Sequence, residues 1–158
     1  MKTKHLTQAA IIAACYVVLT FIANSLGLAS GAIQVRFSES LTVLPVFTPA
    51  AIPGLFLGCL ISNILSGCVI TDIIFGSLAT LIGAIFTHLL RRYSYLASVP
   101  PIIANTLIIP FVLKFAYGLP AGISYFFITV GIGEIISCGI LGTLLILYLK
   151  KYENIIKW

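Results

Sequence analysis

The chain has 158 residues, of which 60% are hydrophobic and only 8% charged, and its mean hydropathy is +1.16. A water-soluble domain carries about 25% charged residues, and much of a small domain's surface faces water, so this composition excludes a soluble fold and points to an integral membrane protein. The net charge of +5 is no nucleic-acid footprint. Its positives sit at the ends of apolar runs, at Lys2, Lys4, Arg91, Arg92, Lys150, Lys151 and Lys157, where the positive-inside rule places cytoplasmic edges.

Backbone polar groups in lipid must be satisfied internally, so the spans are helices or a closed barrel. A barrel needs short strands of alternating polarity, whereas this chain shows long continuous apolar runs. The apolar stretch Met1–Ser30 is too long for a cleaved signal peptide and is no more apolar than the rest. At about 20 residues per span, six helices use most of the chain. The fold expected is an all-α integral membrane protein, a single domain over residues 1–158 built as a bundle of six transmembrane helices. It lies multi-pass in the cell membrane, with both termini cytoplasmic.

Span one runs from about His5 to Gly27. Ala9/Ala13 and Ala10/Ala14 form two overlapping small-xxx-small pairs, which let another helix approach closely in lipid; alanine is common in helices, so the pattern alone favours internal packing. Leu26–Gln34 is an outer loop. Span two begins near Arg36 and ends before Pro49, and Pro45 predicts a kink or a short span. Span three, about Ala50–Leu65, carries Gly54, Gly58, Ser62 and Ser66 at four-residue intervals, one smooth packing face. Span four, about Val69–Leu90, has Asp72 in its first outer turn and ends at Arg91 and Arg92, with His88 at the cytoplasmic edge. Span five reaches about Tyr117, with Asn105 near its middle, Pro110 as a kink and Lys114 near the outer end. Span six, about Ile123–Leu149, has Glu134 near its centre, and Trp158 is placed at the membrane interface.

These spans carry Arg36, Glu39, Asp72 and Glu134 into the outer half or the middle of the membrane, with Asn105 beside them. A carboxylate at mid-membrane costs at least about 2.5 kcal/mol, so Glu134 requires a partner, a proton or a ligand. Arg36 and Glu39, three residues apart, would share a helix face as an ion pair. Asp72 suits a helix N-terminus. Several carboxylates with an amide fit a ligand rich in N–H donors, such as a guanine-like edge. Asn105, Gln34 or Arg36 would donate to its ring oxygen. Phe37, Tyr117, Tyr125 and Phe126 lie at depths where a flat ring could stack, although packing explains each of them too.

Catalytic and metal chemistry find little footing. HExxH, GxSxG and GxxxxGK[ST] are all absent, so the chain is read as no enzyme and does not hydrolyse ATP itself. No cofactor is implied. Cys15, Cys59, Cys68 and Cys138 form no CxxC and lack a histidine at metal spacing, so they read as small packing residues. A Cys59–Cys68 bridge is neither demanded nor excluded.

The blocks QVRFSESLTVLPVFTPAAIPGLFLGCLISN, TDIIFGSLATLIGA, PPIIANTL, YGLPAG and GIGEIISCGILG resemble the QueT family over about Ala9 to Leu149. Its members are substrate-binding S components of energy-coupling factor (ECF) transporters associated with a queuosine precursor. VRFSESLTVLP and GIGE carry most of the specificity. The resemblance implies a six-helix bundle with substrate entry from outside, a partner T subunit and two cytosolic ATPases. Ala9, Ala10, Ala13 and Ala14 match the motif by which such components dock on the T subunit. The implied ligand is preQ1, a 7-aminomethyl-7-deazaguanine. The residues expected to bind it are Gln34, Arg36, Phe37, Glu39, Asp72, Asn105, Tyr125 and Glu134, with Glu134 on the guanine edge and Glu39 or Asp72 on the ammonium. The alternative is a stand-alone proton-coupled carrier with Glu39 or Glu134 as the proton site.

Overall fold

A computed structural model describes residues 2–28 and 33–151. Residues 29–32 of the first loop, and Lys157 and Trp158 with their expected interfacial place, lie outside the described residues. Six rods follow one another. Helix α1 spans Lys2–Ser25, and a 3₁₀ helix spans Phe37–Val46. Helices α2 (Ala51–Leu65) and α3 (Ile70–Leu89) come next. Helix α4 (Val99–Phe111) runs on through a π turn at Val112–Ala116. Helix α5 (Ile123–Glu134), a π stretch (Ile135–Leu141) and α6 (Gly142–Lys151) form the last rod. No strand occurs among the described residues.

Four of these rods are long and apolar enough to cross a membrane: Thr3–Ser25, Ile70–Leu89, Ser94–Ala116 and Ile123–Lys151. Helix α2 is apolar but shorter. The expected α-helical second span is not formed. In its place the ten residues of the 3₁₀ helix rise only about 20 Å, less than the roughly 30 Å of a hydrocarbon core. Local chemistry explains the tighter winding. Ser40 Oγ donates to the Phe37 carbonyl at 2.6 Å, and Thr42 Oγ1 donates to the Glu39 carbonyl at 2.6 Å. Both bonds match the i, i+3 spacing, and Pro45 has no N–H to offer an α-helical ladder.

Helices α1 and α2 are parallel neighbours. A Cβ added at Gly54 would stand 2.7 Å from the Ala9 carbonyl oxygen, and one at Gly58 would stand 2.7 Å from Tyr16 Cβ and 3.1 Å from Ala13 Cα. At the far end, Asn24 Nδ2 donates to Ser66 Oγ at 3.1 Å. The small faces read from the sequence on both helices therefore meet each other. Two parallel helices require the intervening chain to cross back between them, and that is the path of the 3₁₀ helix. Gly67, at φ 71°, ends α2 in the left-handed conformation that glycine adopts without strain, and α3 turns back antiparallel. Helix α4 lies close on α3 because Gly83 lacks a Cβ, which would meet Pro101 Cα at 2.8 Å.

The main core cluster joins Tyr16, Ala51, Leu55, Cys59 and Ala84. A smaller one holds Val43, Ala97 and Ile146. Outward faces remain apolar, with Leu6, Ile70, Phe115 and Leu147 largely exposed, as a lipid-facing surface requires. The topology gathers Lys4, Arg91, Arg92, Lys150 and Lys151 at one end, called here the basic end. There, Arg91 Nη1 donates to His88 Nε2 at 2.8 Å, which leaves His88 Nδ1–H to donate to the Pro45 carbonyl at 2.7 Å. The opposite end, with Ser66, Asp72 and Tyr117, is the mouth. Lys114 ties the rod end to the following loop through the Leu119 and Ala121 carbonyls, at 3.4 and 3.0 Å.

Candidate functional site

Two chambers lie one above the other inside the mouth half of the bundle. The deep one, about 20 Å³, is lined by Gln34, Arg36, Glu39, Cys59, Gly76, Thr80, Asn105, Ile109, Val130 and Glu134. It has room for about one water molecule. The outer one, about 330 Å³, is lined by Thr20, Asn24, Gln34, Arg36, Asn63, Ser66, Cys68, Asp72, Ile109, Leu113 and Tyr117. Gln34, Arg36 and Ile109 border both and form the partition between them.

Glu39 sits in the first turn of the 3₁₀ helix and is only 2% exposed. Its carboxylate accepts the Tyr16 hydroxyl from α1 and, at 3.4 Å, Asn105 Nδ2 from α4. Glu134 closes α5, is 9% exposed, and accepts the Cys138 S–H at 3.1 Å. One ligand atom each from Glu39, Glu134 and Cys138 lie within 4.8 Å of one another. These three could together face an ion, although the thiol proton is already committed to Glu134. Two buried carboxylates this close disfavour double ionisation unless a proton or a cation joins them.

The expected Arg36–Glu39 ion pair is not formed. Arg36 precedes the 3₁₀ helix with extended backbone, φ −109° and ψ 110°, so the helical i, i+3 geometry does not apply to it. Its guanidinium donates to Gln34 Oε1 at 3.2 Å, and its backbone N–H donates to Ser137 Oγ at 3.1 Å. Gly133 makes that seat possible: a Cβ there would lie 2.2 Å from the Gln34 carbonyl oxygen.

Asp72, in the first turn of α3, is 4% exposed rather than facing solvent. Its Oδ2 accepts the Tyr117 hydroxyl at 2.9 Å. Burial, and then the adjacent Asp72 carboxylate, push the Tyr117 phenol well above its ordinary range, so it remains a donor.

Of the expected site residues, Gln34, Arg36, Glu39, Asn105 and Glu134 share the deep chamber, and Asp72 joins Gln34 and Arg36 in the outer one. Phe37 and Tyr125 line neither. Tyr125 is 46% exposed with its ring edge-on to Phe126 at 5.8 Å, because it lies on the outer face of α5. Phe126 is buried in packing, whereas Tyr117 does line the outer chamber. The four alanines of α1 divide: Ala9 and Ala13 are buried against Gly54 and Gly58, and Ala10 and Ala14 are exposed. All four cysteines are free.

Sequence reasoning missed Tyr16, Thr20, Asn24 and Asn63. A signal was available for the first three, since Gln8, Tyr16, Thr20 and Asn24 fall on one four-residue ladder of an otherwise apolar helix. A family model described as QueT transporter matches residues 6–151, nearly the whole chain. No curated protein and no solved structure matches.

Proposed function

The chain belongs to the QueT transporter family, and from that premise we propose that it is the substrate-binding S component of an ECF importer, taking up preQ1 or a related 7-deazaguanine. In this reading all six rods cross the membrane, the basic end is cytoplasmic, and the mouth opens outside. A T subunit and two cytosolic ATPases energise release on the inner side. One observation carries the reading: the charged and amide groups of an apolar bundle converge on two stacked chambers, with Glu39, Asn105 and Glu134 below and Asp72 above.

A flat heterocycle suits the outer chamber, which has the volume of a small-ligand site. Asp72, Asn63 and Tyr117 would meet its edge there, and Arg36 and Gln34 would yield to let it reach the deep carboxylates. Fixed polar groups in a dry, buried site reject ligands that leave them unpaired, which confers specificity. The test is calorimetric titration of the purified protein with preQ1 in the absence of ATP. Saturable binding that Glu134→Gln weakens at least about tenfold supports the reading; unchanged affinity removes Glu134 from the site.

The closeness of Glu39 and Glu134 favours a second reading, a stand-alone carrier whose carboxylate pair takes up a proton. Uptake into liposomes that hold this chain alone, driven by a pH gradient, would support it. Uptake that requires the ATPase module would dismiss it.

A further inference from the structure

The helical glycines Gly54, Gly58, Gly83 and Gly133 each let a neighbouring backbone approach: an added Cβ would stand 2.2–3.1 Å from it. Gly76 has no such neighbour. The three atoms nearest to a Cβ there are side-chain ends, Asn63 Nδ2 at 3.1 Å, Asp72 Oδ1 at 3.4 Å and Ile109 Cδ1 at 3.9 Å. Glycine inside a helix gives up stability relative to alanine, and Gly76 lies inside α3. Close packing of backbones does not account for it.

Its neighbours place Gly76 at the junction of the two chambers. Gly76 borders the deep chamber, Asn63 and Asp72 border the outer one, and Ile109 borders both. The place of the missing Cβ is thus a notch in α3 that links the polar groups of the outer chamber to the wall of the deep one.

The chambers differ in what they can hold. The deep one, about 20 Å³, admits a group the size of a water molecule and no ring. The outer one, about 330 Å³, admits a fused heterocycle. They differ in charge as well. Glu39 and Glu134 meet at the deep chamber, and the groups that donate to them are neutral: the Tyr16 hydroxyl, the Asn105 amide and the Cys138 thiol. Arg36, at the partition, gives its guanidinium to Gln34 Oε1. A primary ammonium is of water's size, carries three donors and brings the positive charge that lets two close carboxylates both ionise.

Resting on the transport reading above, we propose that Gly76 is a specificity-determining residue: its notch passes a one-carbon arm, so that the ligand's ammonium lies between Glu39 and Glu134 while its guanine-like ring stays in the outer chamber on Asp72 and Asn63. This orientation puts both deep carboxylates on the ammonium and gives the guanine edge to Asp72 instead of Glu134. A carboxylate there accepts from neighbouring ring N–H and amino groups together. An arm with a bulky end is refused by the volume of the deep chamber.

The test is calorimetric titration of the purified full chain with two probes, preQ1 and 7-deazaguanine, which has the ring without the arm. PreQ1 should bind at least about tenfold more tightly, since its ammonium makes charge-assisted bonds. Gly76→Ala should cost preQ1 at least about tenfold and 7-deazaguanine no more than about threefold. Glu39→Gln, which keeps the volume and removes the charge, should show the same split, and it decides the matter if Gly76→Ala binds neither probe. Asp72→Asn should weaken both probes alike. Equal affinity of the two probes for the parent chain, with both bound, would overturn this assignment and leave the transport reading standing; failure of both to bind would overturn the transport reading itself. Equal losses for both probes in Glu39→Gln, or a loss in Asp72→Asn confined to preQ1, would show that the ligand lies the other way round.

Discussion

Glu134 closes one helix geometry and opens another, since the π stretch begins at the next residue. Its carboxylate is met by the thiol one turn on, and Glu39 faces it from a different rod. Charge-assisted hydrogen bonds contribute about 1.5–3 kcal/mol, so Glu134→Gln is expected to cost at least about tenfold in ligand affinity, as titration would read. Tyr16 acts through Glu39 and is a positioning residue. Tyr16→Phe removes one of the two donors that orient that carboxylate, so affinity should fall, by less than for Glu39→Gln, while the melting temperature stays near that of the parent. An affinity equal to the parent's would remove Tyr16 from the site. At this scale the sequence exposed the carboxylates, because a charge in an apolar run is conspicuous. It hid Tyr16 and Cys138, because a tyrosine or cysteine in such a run reads as packing until its partner is known.

At the scale of elements, the limits of the helices were legible from Gly, Pro and charge. The expected spans near 50–65, 69–90 and 123–149 lie close to α2, α3 and the last rod. The second rod was legible as a helical segment disturbed by Pro45 but not as a 3₁₀ helix. That geometry depends on Ser40 and Thr42 bonding to carbonyls three residues back, and hydroxyl-bearing residues occur in α-helices as well. At Gly133 the last rod and the Gln34 stretch touch backbone to backbone. Gly133→Ala should displace the Gln34–Arg36 stretch at a cost of about 1–3 kcal/mol, visible as a lower melting temperature together with weakened binding. Full retention of both would show that the stretch tolerates displacement.

For the whole molecule, the division of the α1 alanines sets the surface that is free for a partner. Ala9 and Ala13 are consumed by α2, so Ala9→Leu/Ala13→Leu should loosen the bundle itself. Ala10 and Ala14 face outward, so Ala10→Leu/Ala14→Leu should leave the melting temperature and ligand binding near parental values. On the transport reading, the same pair should abolish co-purification with the T subunit; intact assembly would move the docking face elsewhere. Sequence spacing alone could not separate the two pairs, because each satisfies the same small-xxx-small pattern. Which pair meets α2 is fixed by the parallel pairing of α1 with α2, and a sequence does not state that pairing.

The parallel pairing of α1 and α2 bears also on how the chain enters the bilayer during synthesis. On the reading that all six rods cross the membrane, the segment between them must insert for α2 to take its orientation, yet Arg36 alone costs about 2.5–3.5 kcal/mol at the centre of a span, against about 0.3–0.6 kcal/mol gained per apolar residue. A segment that also holds Glu39 and Pro45 lacks the hydrophobicity to enter unaided, so its insertion awaits the later helices that enclose it. In a cysteine-free background, Ser38→Cys on a chain truncated after Gly67 is expected to react with a membrane-impermeant thiol reagent, and on the full chain to be protected, as its burial requires. Equal protection of both would show that α1 and α2 alone draw the crossing in.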